Sequence, residues 1–118
     1  MRQIAEGICD SFGVSCEVKY ETTCPMTFNQ SHQSDAATKA AMTLFGEDNC
    51  DGDIAPRPFS EDFSIMSEKT PGCFVLMGNG ISGSHGRPLH SADYDFNDEL
   101  LVTGSSYWVE LAEQQLQK

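Results

Sequence analysis

Residues Cys73-Phe74-Val75-Leu76-Met77 form an uninterrupted apolar run, and no other feature constrains the fold of this chain as tightly. A run with no polar alternation has no solvent face. It predicts a central strand buried on both sides, as in a parallel sheet. Such a strand needs neighbours for its backbone hydrogen bonds and helices over its faces. Pro71-Gly72 predicts a turn before the run, and Gly78, Gly80, Gly83 and Gly86 predict a long loop after it.

The helices that could cover such a sheet are visible as periodic stretches. Ile4, Ile8 and Phe12 recur every four residues, with Ala5 and Cys9 beside them, and Gly13 supplies a stop. This pattern begins almost at Met1 without a capping residue, as if the helix were once longer. Val14, Cys16, Val18 and Tyr20 then alternate with polar residues, which predicts a half-buried strand. A second helix is expected from about His32 to Phe45, with Ala36, Ala37, Ala40, Ala41, Leu44 and Phe45 on its apolar stripe and Gly46 at its end. The stretch from Glu47 to Pro58 reads as a loop. Ser60 is expected to cap a short helix with Glu61 and Asp62 in its first turn and Phe63 and Met66 facing inward. Asn97 is expected to cap a last helix whose buried face carries Leu101, Gly104, Ser105, Trp108, Leu111 and Ala112.

Charge and cysteine usage exclude several classes. With 18 acids against 7 bases the formal net charge is -11, so nucleic acid and anionic membranes are poor partners. The acids are spread along the chain, as on a solvated surface. No apolar stretch is long enough to span a membrane, and no signal peptide is visible, so a cytoplasmic location is expected. Cys9, Cys16, Cys24, Cys50 and Cys73 are odd in number and never spaced Cys-x-x-Cys, which argues against a disulfide framework and a zinc ribbon.

The residues suited to chemistry gather between Cys73 and Asp98. A strand, a glycine loop, His85 and His90, then Asp93, Asp95 and Asp98 follow one another. Imidazole nitrogens and carboxylates are what a zinc-type ion binds. Spacing alone leaves two readings open for each histidine, a metal ligand or a hydrogen-bonded structural residue. Asp95 can orient a histidine by accepting its second N–H. Asp98 suits the first turn of the last helix, as Glu61 and Asp62 suit theirs. Gly78-Asn79-Gly80 lacks the glycine fingerprint and the lysine of a phosphate-binding loop, and no Gly-x-Ser-x-Gly elbow occurs.

The order of short motifs is more specific than any one of them. Ser60-Glu61-Asp62-Phe63, Pro71-Gly72-Cys73-Phe74, Met77-Gly78, Pro88-Leu89-His90-Ser91 and Asp95-Phe96-Asn97-Asp98 with Leu101 closely resemble the C-terminal part of the peptidase M20 family. The nearest branch resembles the amidohydrolases that cleave N-acyl amino acids, such as the hippurate hydrolases and the auxin-conjugate hydrolases. Phe12-Gly13, the strand to Tyr20, and Pro25 with Asn29 also fit, so the resemblance covers nearly the whole chain.

That resemblance implies an α/β fold: a piece of a metallo-aminopeptidase-like catalytic domain over residues 25–118, preceded over residues 1–24 by the last helix and strand of an α+β lid domain. It implies that His90 binds one ion of a two-metal centre, zinc or manganese, whose activated water attacks an amide carbonyl. Asn29 and the Gly78, Asn79 and Gly80 segment would line the substrate pocket, with Glu61 and Asp62 supporting the site. The substrate would be an N-acyl amino acid or a small peptide, and a homo-oligomer is expected. The family's other ligands and its catalytic glutamate have no counterpart here. One histidine does not complete a zinc site, so the isolated chain is expected to be inactive, and a metal-free state is compatible with this reading. Two rivals stand beside this reading: a non-catalytic oligomeric or interaction module of the same descent, and a small metal-binding protein using His85, His90 and nearby aspartates.

Overall fold

In the computed structural model, which describes residues 1–116, the chain forms four helices: α1 (Arg2–Ser11), α2 (Ser31–Phe45), α3 (Phe63–Ser67) and α4 (Leu100–Leu116). A single 3-10 turn, Glu47–Asn49, follows α2 within the stretch expected to be loop. The expected 25–118 unit is therefore followed to residue 116, its last two residues lying outside the described ones.

The glycine stops act where the sequence places them. Gly13 has φ 65, its N–H bonds the Asp10 carbonyl at 3.0 Å, and the Val14 N–H bonds the Cys9 carbonyl at 3.0 Å. This pair of bonds is a Schellman closure, which needs a left-handed residue one place past the cap. Gly46, at φ 80, ends α2 with its N–H on the Met42 carbonyl.

The helix pair α2 and α4 makes the only buried apolar core among the described residues: Ala37, Ala40 and Tyr107. The two alanines let α4 approach closely, and the Tyr107 hydroxyl donates to the Ala37 carbonyl at 3.4 Å. The stripe of α4 that turns inward runs through Thr103, Gly104, Tyr107, Glu110, Leu111 and Gln114. That is one residue away from the face expected around Trp108, which is instead 64% exposed, and Leu101 is exposed with it. Tyr107 and Trp108 touch edge to face, 5.4 Å between ring centroids.

The α/β expectation is not met among the described residues, which contain no strand. Residues 14–20 and 73–77 carry no regular secondary structure, with Val75, Leu76 and Met77 all exposed. A strand exists only through the ladder it shares with a neighbour, and neither segment has one here. Pro71-Gly72 is likewise irregular rather than a turn. The Gln30 N–H bonds the Gly72 carbonyl at 3.2 Å, and the Gln30 Oε1 accepts the Gly72 N–H at 2.7 Å.

The short helix α3 departs from expectation in two ways. It starts at Phe63, and Ser60 does not cap it. Backbone carbonyls begin the turn instead, Glu61 accepting from Ser64 and Asp62 from Ile65. Its buried side chains are Ser64 and Ser67, while Met66 is exposed. Both hydroxyls find carbonyl acceptors three residues back, at 2.6 and 3.0 Å, so their burial leaves nothing unsatisfied. Phe63 is half-buried against Phe74, 5.5 Å between ring centroids.

The apolar face of α1 forms as the periodicity predicts but is covered by nothing: Ile4, Ile8 and Phe12 all stand exposed. The whole chain exposes 9736 Å² and has a radius of gyration of 20.1 Å. A compact monomer of this mass would expose roughly 6,300 Å² and have a radius of about 13.5 Å. All five cysteines are free, four of them half-buried and Cys16 exposed.

Candidate functional site

The segment from Gly78 to Asn97 is closed upon itself by two asparagine side chains, Asn79 making most of the bonds. Asn79 donates from Nδ2 to the His85 carbonyl at 3.0 Å and to the Asp95 carbonyl at 2.8 Å. Its Oδ1 accepts the Asn97 N–H at 2.9 Å, and the Asn97 Nδ2 donates to the Asn79 carbonyl at 3.3 Å. Asn97 also serves the start of α4, as expected. Its Oδ1 accepts the Glu99 N–H at 3.2 Å and its carbonyl accepts the Leu100 N–H at 2.9 Å. The loop is thereby tied to the helix that packs on α2.

Two glycines make the closure possible. Gly80 has φ 153, and a Cβ there would meet the His85 Cβ at 2.8 Å. Gly86 donates its N–H to the Ser82 carbonyl at 3.0 Å, and a Cβ there would lie 2.5 Å from the Ser82 nitrogen. Both places therefore exclude any side chain. Across the loop, His85 Nε2 lies 3.5 Å from Asp95 Oδ2, and Arg87 Nε lies 3.0 Å from Asp93 Oδ2. Asp95 thus faces a histidine, and that histidine is His85, not His90.

His90 stands at the corner of a tight turn. The Ser91 N–H bonds the Pro88 carbonyl at 3.2 Å, and the Tyr94 N–H bonds the Ser91 carbonyl at 3.2 Å. His90 has φ 69 and is the one non-glycine residue with positive φ among those described. It occupies the third place of the Pro88–Ser91 turn, where a positive φ is the signature of a type II turn and glycine the usual occupant. The imidazole is exposed at the tip.

The other expected site residues lie apart from this loop. Asn29 donates from Nδ2 to the Phe74 carbonyl at 3.0 Å and accepts the Phe74 N–H at 2.8 Å. One amide hydrogen of Asn29 stays outside that pair. Glu61 and Asp62 sit at the start of α3, which reaches Asn29's partner through the Phe63–Phe74 contact. Two shallow grooves, one beside Asp35, Lys39 and Glu47 and one beside Phe63, Met66 and Thr70, include none of the expected site residues.

The donor set does not make a metal site. No group of three or more His, Cys, Asp or Glu side chains among the described residues is placed to hold an ion. Three protein ligands are the least a zinc centre uses. His90 stands on its turn with no second and third such side chain grouped beside it.

Residue types alone did not reveal the bridging role of Asn79 and Asn97. The available signal was an asparagine between two glycines at the mouth of a loop, where a short amide readily replaces backbone partners.

Comparison with known proteins agrees with the motif order. The profile of peptidase family M20/M25/M40 matches residues 3–114. Hippurate hydrolase of Campylobacter jejuni is 31% identical over 110 residues, covering 93% of this chain and 28% of the relative. N-acetylcysteine deacetylase of Bacillus subtilis is 36% identical over 113 residues, covering 95% of this chain and 28% of the relative. Thermostable carboxypeptidase 2 of Saccharolobus solfataricus is 30% identical over 108 residues, covering 89% and 26%. The chain thus spans little more than a quarter of the length of these relatives. No solved structure matches it.

Proposed function

Since the chain belongs to peptidase family M20/M25/M40, we propose that it is part of a metal-dependent amidohydrolase acting on N-acyl amino acids or small peptides. The single observation that carries this reading is His90 held at a strained, exposed turn corner within a closed loop. Strained backbone persists where the surroundings impose it, and such places cluster at functional sites.

In this reading His90 is one ligand of a divalent ion, zinc or manganese, in the complete family fold. The remaining ligands come from elsewhere in that fold, so the 118-residue chain by itself is inactive. The backbone of Gly78, Asn79 and Gly80 borders the substrate pocket, and Asn29 offers its remaining amide hydrogen to the substrate. Glu61 and Asp62 support the site through α3. Residues 1–24 belong to the lid and residues 25–118 to the catalytic domain. The segments 14–20 and 73–77 become strands of an α/β arrangement once partner strands lie beside them. Uncovered apolar faces support self-association of the chain as it stands.

The test is hydrolysis of N-benzoylglycine and N-acetylcysteine with zinc or manganese present. The chain alone should give no turnover. The chain combined with the preceding three quarters of the hippurate hydrolase relative should restore it, and His90→Ala should abolish the restored activity. Turnover by the chain alone, or restored activity indifferent to His90→Ala, would overturn the assignment. Failure of the combination to hydrolyse, with a stable complex formed, would favour a non-catalytic interaction module.

A further inference from the structure

We infer that Asn79 is the positioning residue of the 79–97 loop: its side chain sets the conformation in which His90 is presented, an inference that rests on the proposed role of His90. A carboxamide offers two N–H donors and one carbonyl acceptor. Here both hydrogens are taken, by the His85 and Asp95 carbonyls, and Oδ1 holds the Asn97 N–H. The partners lie 6, 16 and 18 residues further along the chain. One short side chain therefore gathers both ends of the segment that carries His90.

One further bond joins the loop's ends, from Asn97 Nδ2 to the Asn79 carbonyl at 3.3 Å; it is the longest of the set and uses the Asn79 backbone, so Asn79 variants keep it. The remaining ties across this loop are weaker. His85–Asp95 and Arg87–Asp93 are largely exposed pairs, and exposed ion pairs contribute little. The bonds from Arg87 to Ser84, from Ser91 to Pro88 and from Tyr94 to Ser91 are local turns that do not join the loop's ends. The Gly-Asn-Gly segment also gains a physical account. Asn79 clamps, and Gly80 lets the His85 backbone come close enough to be clamped. Asn97 passes the clamp to α4, whose Tyr107 is anchored on α2. His90 is thus referred to the buried core that α2 and α4 form among the described residues.

Chemistry makes the position demanding. Aspartate has the size and the acceptor but no donor. Glutamine has the groups but one methylene too many. Alanine has neither.

The experiment uses the labelled 118-residue chain and its Asn79→Ala and Asn79→Asp variants, followed by nuclear magnetic resonance. Two readouts are taken: amide exchange at Asn97, and the one-bond Cα–Hα coupling of His90, which reports its positive φ. Asn79→Ala should speed Asn97 exchange about tenfold and shift the His90 coupling to an averaged value. Asn79→Asp should keep Asn97 protected yet lose the His90 conformation, because only the donors are gone. Amides of α2 and α4 should be unchanged in both. An unchanged His90 coupling in both variants overturns the inference. So does a general loss of α2 and α4 protection in the Asp variant, which would make Asn79 a residue of overall stability. No metal enters these readouts, so Asn79 can fail while His90 still proves necessary for hydrolysis, and the reverse.

Discussion

The side-chain amide of Asn29 pairs with the backbone of Phe74 in both directions, donating to its carbonyl at 3.0 Å and accepting its N–H at 2.8 Å. It imitates a neighbouring strand for one residue of a segment that belongs to no strand ladder among the described residues. Gln30 repeats the device at Gly72. Together they tether the stretch 72–74 to the residues that lead into α2.

Asn29→Ala removes both bonds at once. Each intramolecular bond contributes about 1 kcal/mol net, and the site is exposed, so a loss of about 1–2 kcal/mol is expected. Asn29→Asp keeps the acceptor and should lose about half of that. Urea unfolding followed by circular dichroism measures both. Equal stability of all three proteins would mean that the tether does not hold.

Tyr107 gives the fold a pH limit. Burial pushes its phenol above the ordinary tyrosine range, with the nearby Cys73 and Cys50 adding to the shift. A folded-state value above the unfolded one favours the neutral form in the fold. The stabilisation is therefore complete below about pH 10, where the unfolded phenol titrates, and is lost as pH rises through the folded value. Tyr107→Phe should flatten that alkaline decline. It should cost only about 0.5–1 kcal/mol at neutral pH, since the bond to Ala37 is long at 3.4 Å. Tyr107→Ala should cost about 3 kcal/mol or more. Thermal unfolding between pH 7 and 11 distinguishes the three.

The parts of this fold legible in the sequence are those decided locally. Helix α1, helix α2 and their glycine stops follow from spacing at i and i+4 and from residues that tolerate positive φ. The parts that were not legible depend on tertiary packing or on side-chain bonds that residue type alone does not announce. Whether α4 buries Tyr107 or Trp108 is a rotation of one residue, settled by the alanines of α2. The inward turn of Ser64 and Ser67 depends on carbonyls three residues back that spare the hydroxyls any cost of burial. The run Cys73–Met77 reads as a strand, but a strand needs a ladder, and the described residues provide only Asn29 and Gln30. At the candidate site, the motif singles out His90 as a candidate. Neither its left-handed backbone, set in the Pro88–Ser91 turn, nor the Asn79 closure, made by contacts between residues 79 and 97, was legible there.

The uncovered stripe of Ile4, Ile8 and Phe12 should drive association. These residues are 64%, 57% and 79% exposed, along a helix otherwise suited to packing. Contiguous apolar surface of this kind marks interaction sites or aggregation. Sedimentation velocity should show species heavier than the 12.9 kDa chain, growing with concentration. Ile8→Asp should shift the distribution towards monomer. A monomer independent of concentration would show that the stripe is not an association surface.

At the Pro88–Ser91 turn, stability and use pull His90 in different directions. A left-handed residue with a Cβ costs about 1–2 kcal/mol relative to the ordinary region, and histidine and asparagine bear it better than most. His90→Asn should therefore leave the turn nearly unchanged. His90→Val, whose branched side chain resists positive φ, should weaken it by about 1–2 kcal/mol. His90→Gly should relieve the strain, offset in part by the entropy that glycine loses on folding. Amide exchange at Ser91 and Tyr94, whose N–H groups close the turn on Pro88 and Ser91, reads these changes directly. If Val and Asn variants exchange alike, the corner is not strained and the structural argument for His90 weakens. If they differ as expected while every variant loses the restored hydrolysis, the imidazole occupies a place that stability alone would give to glycine.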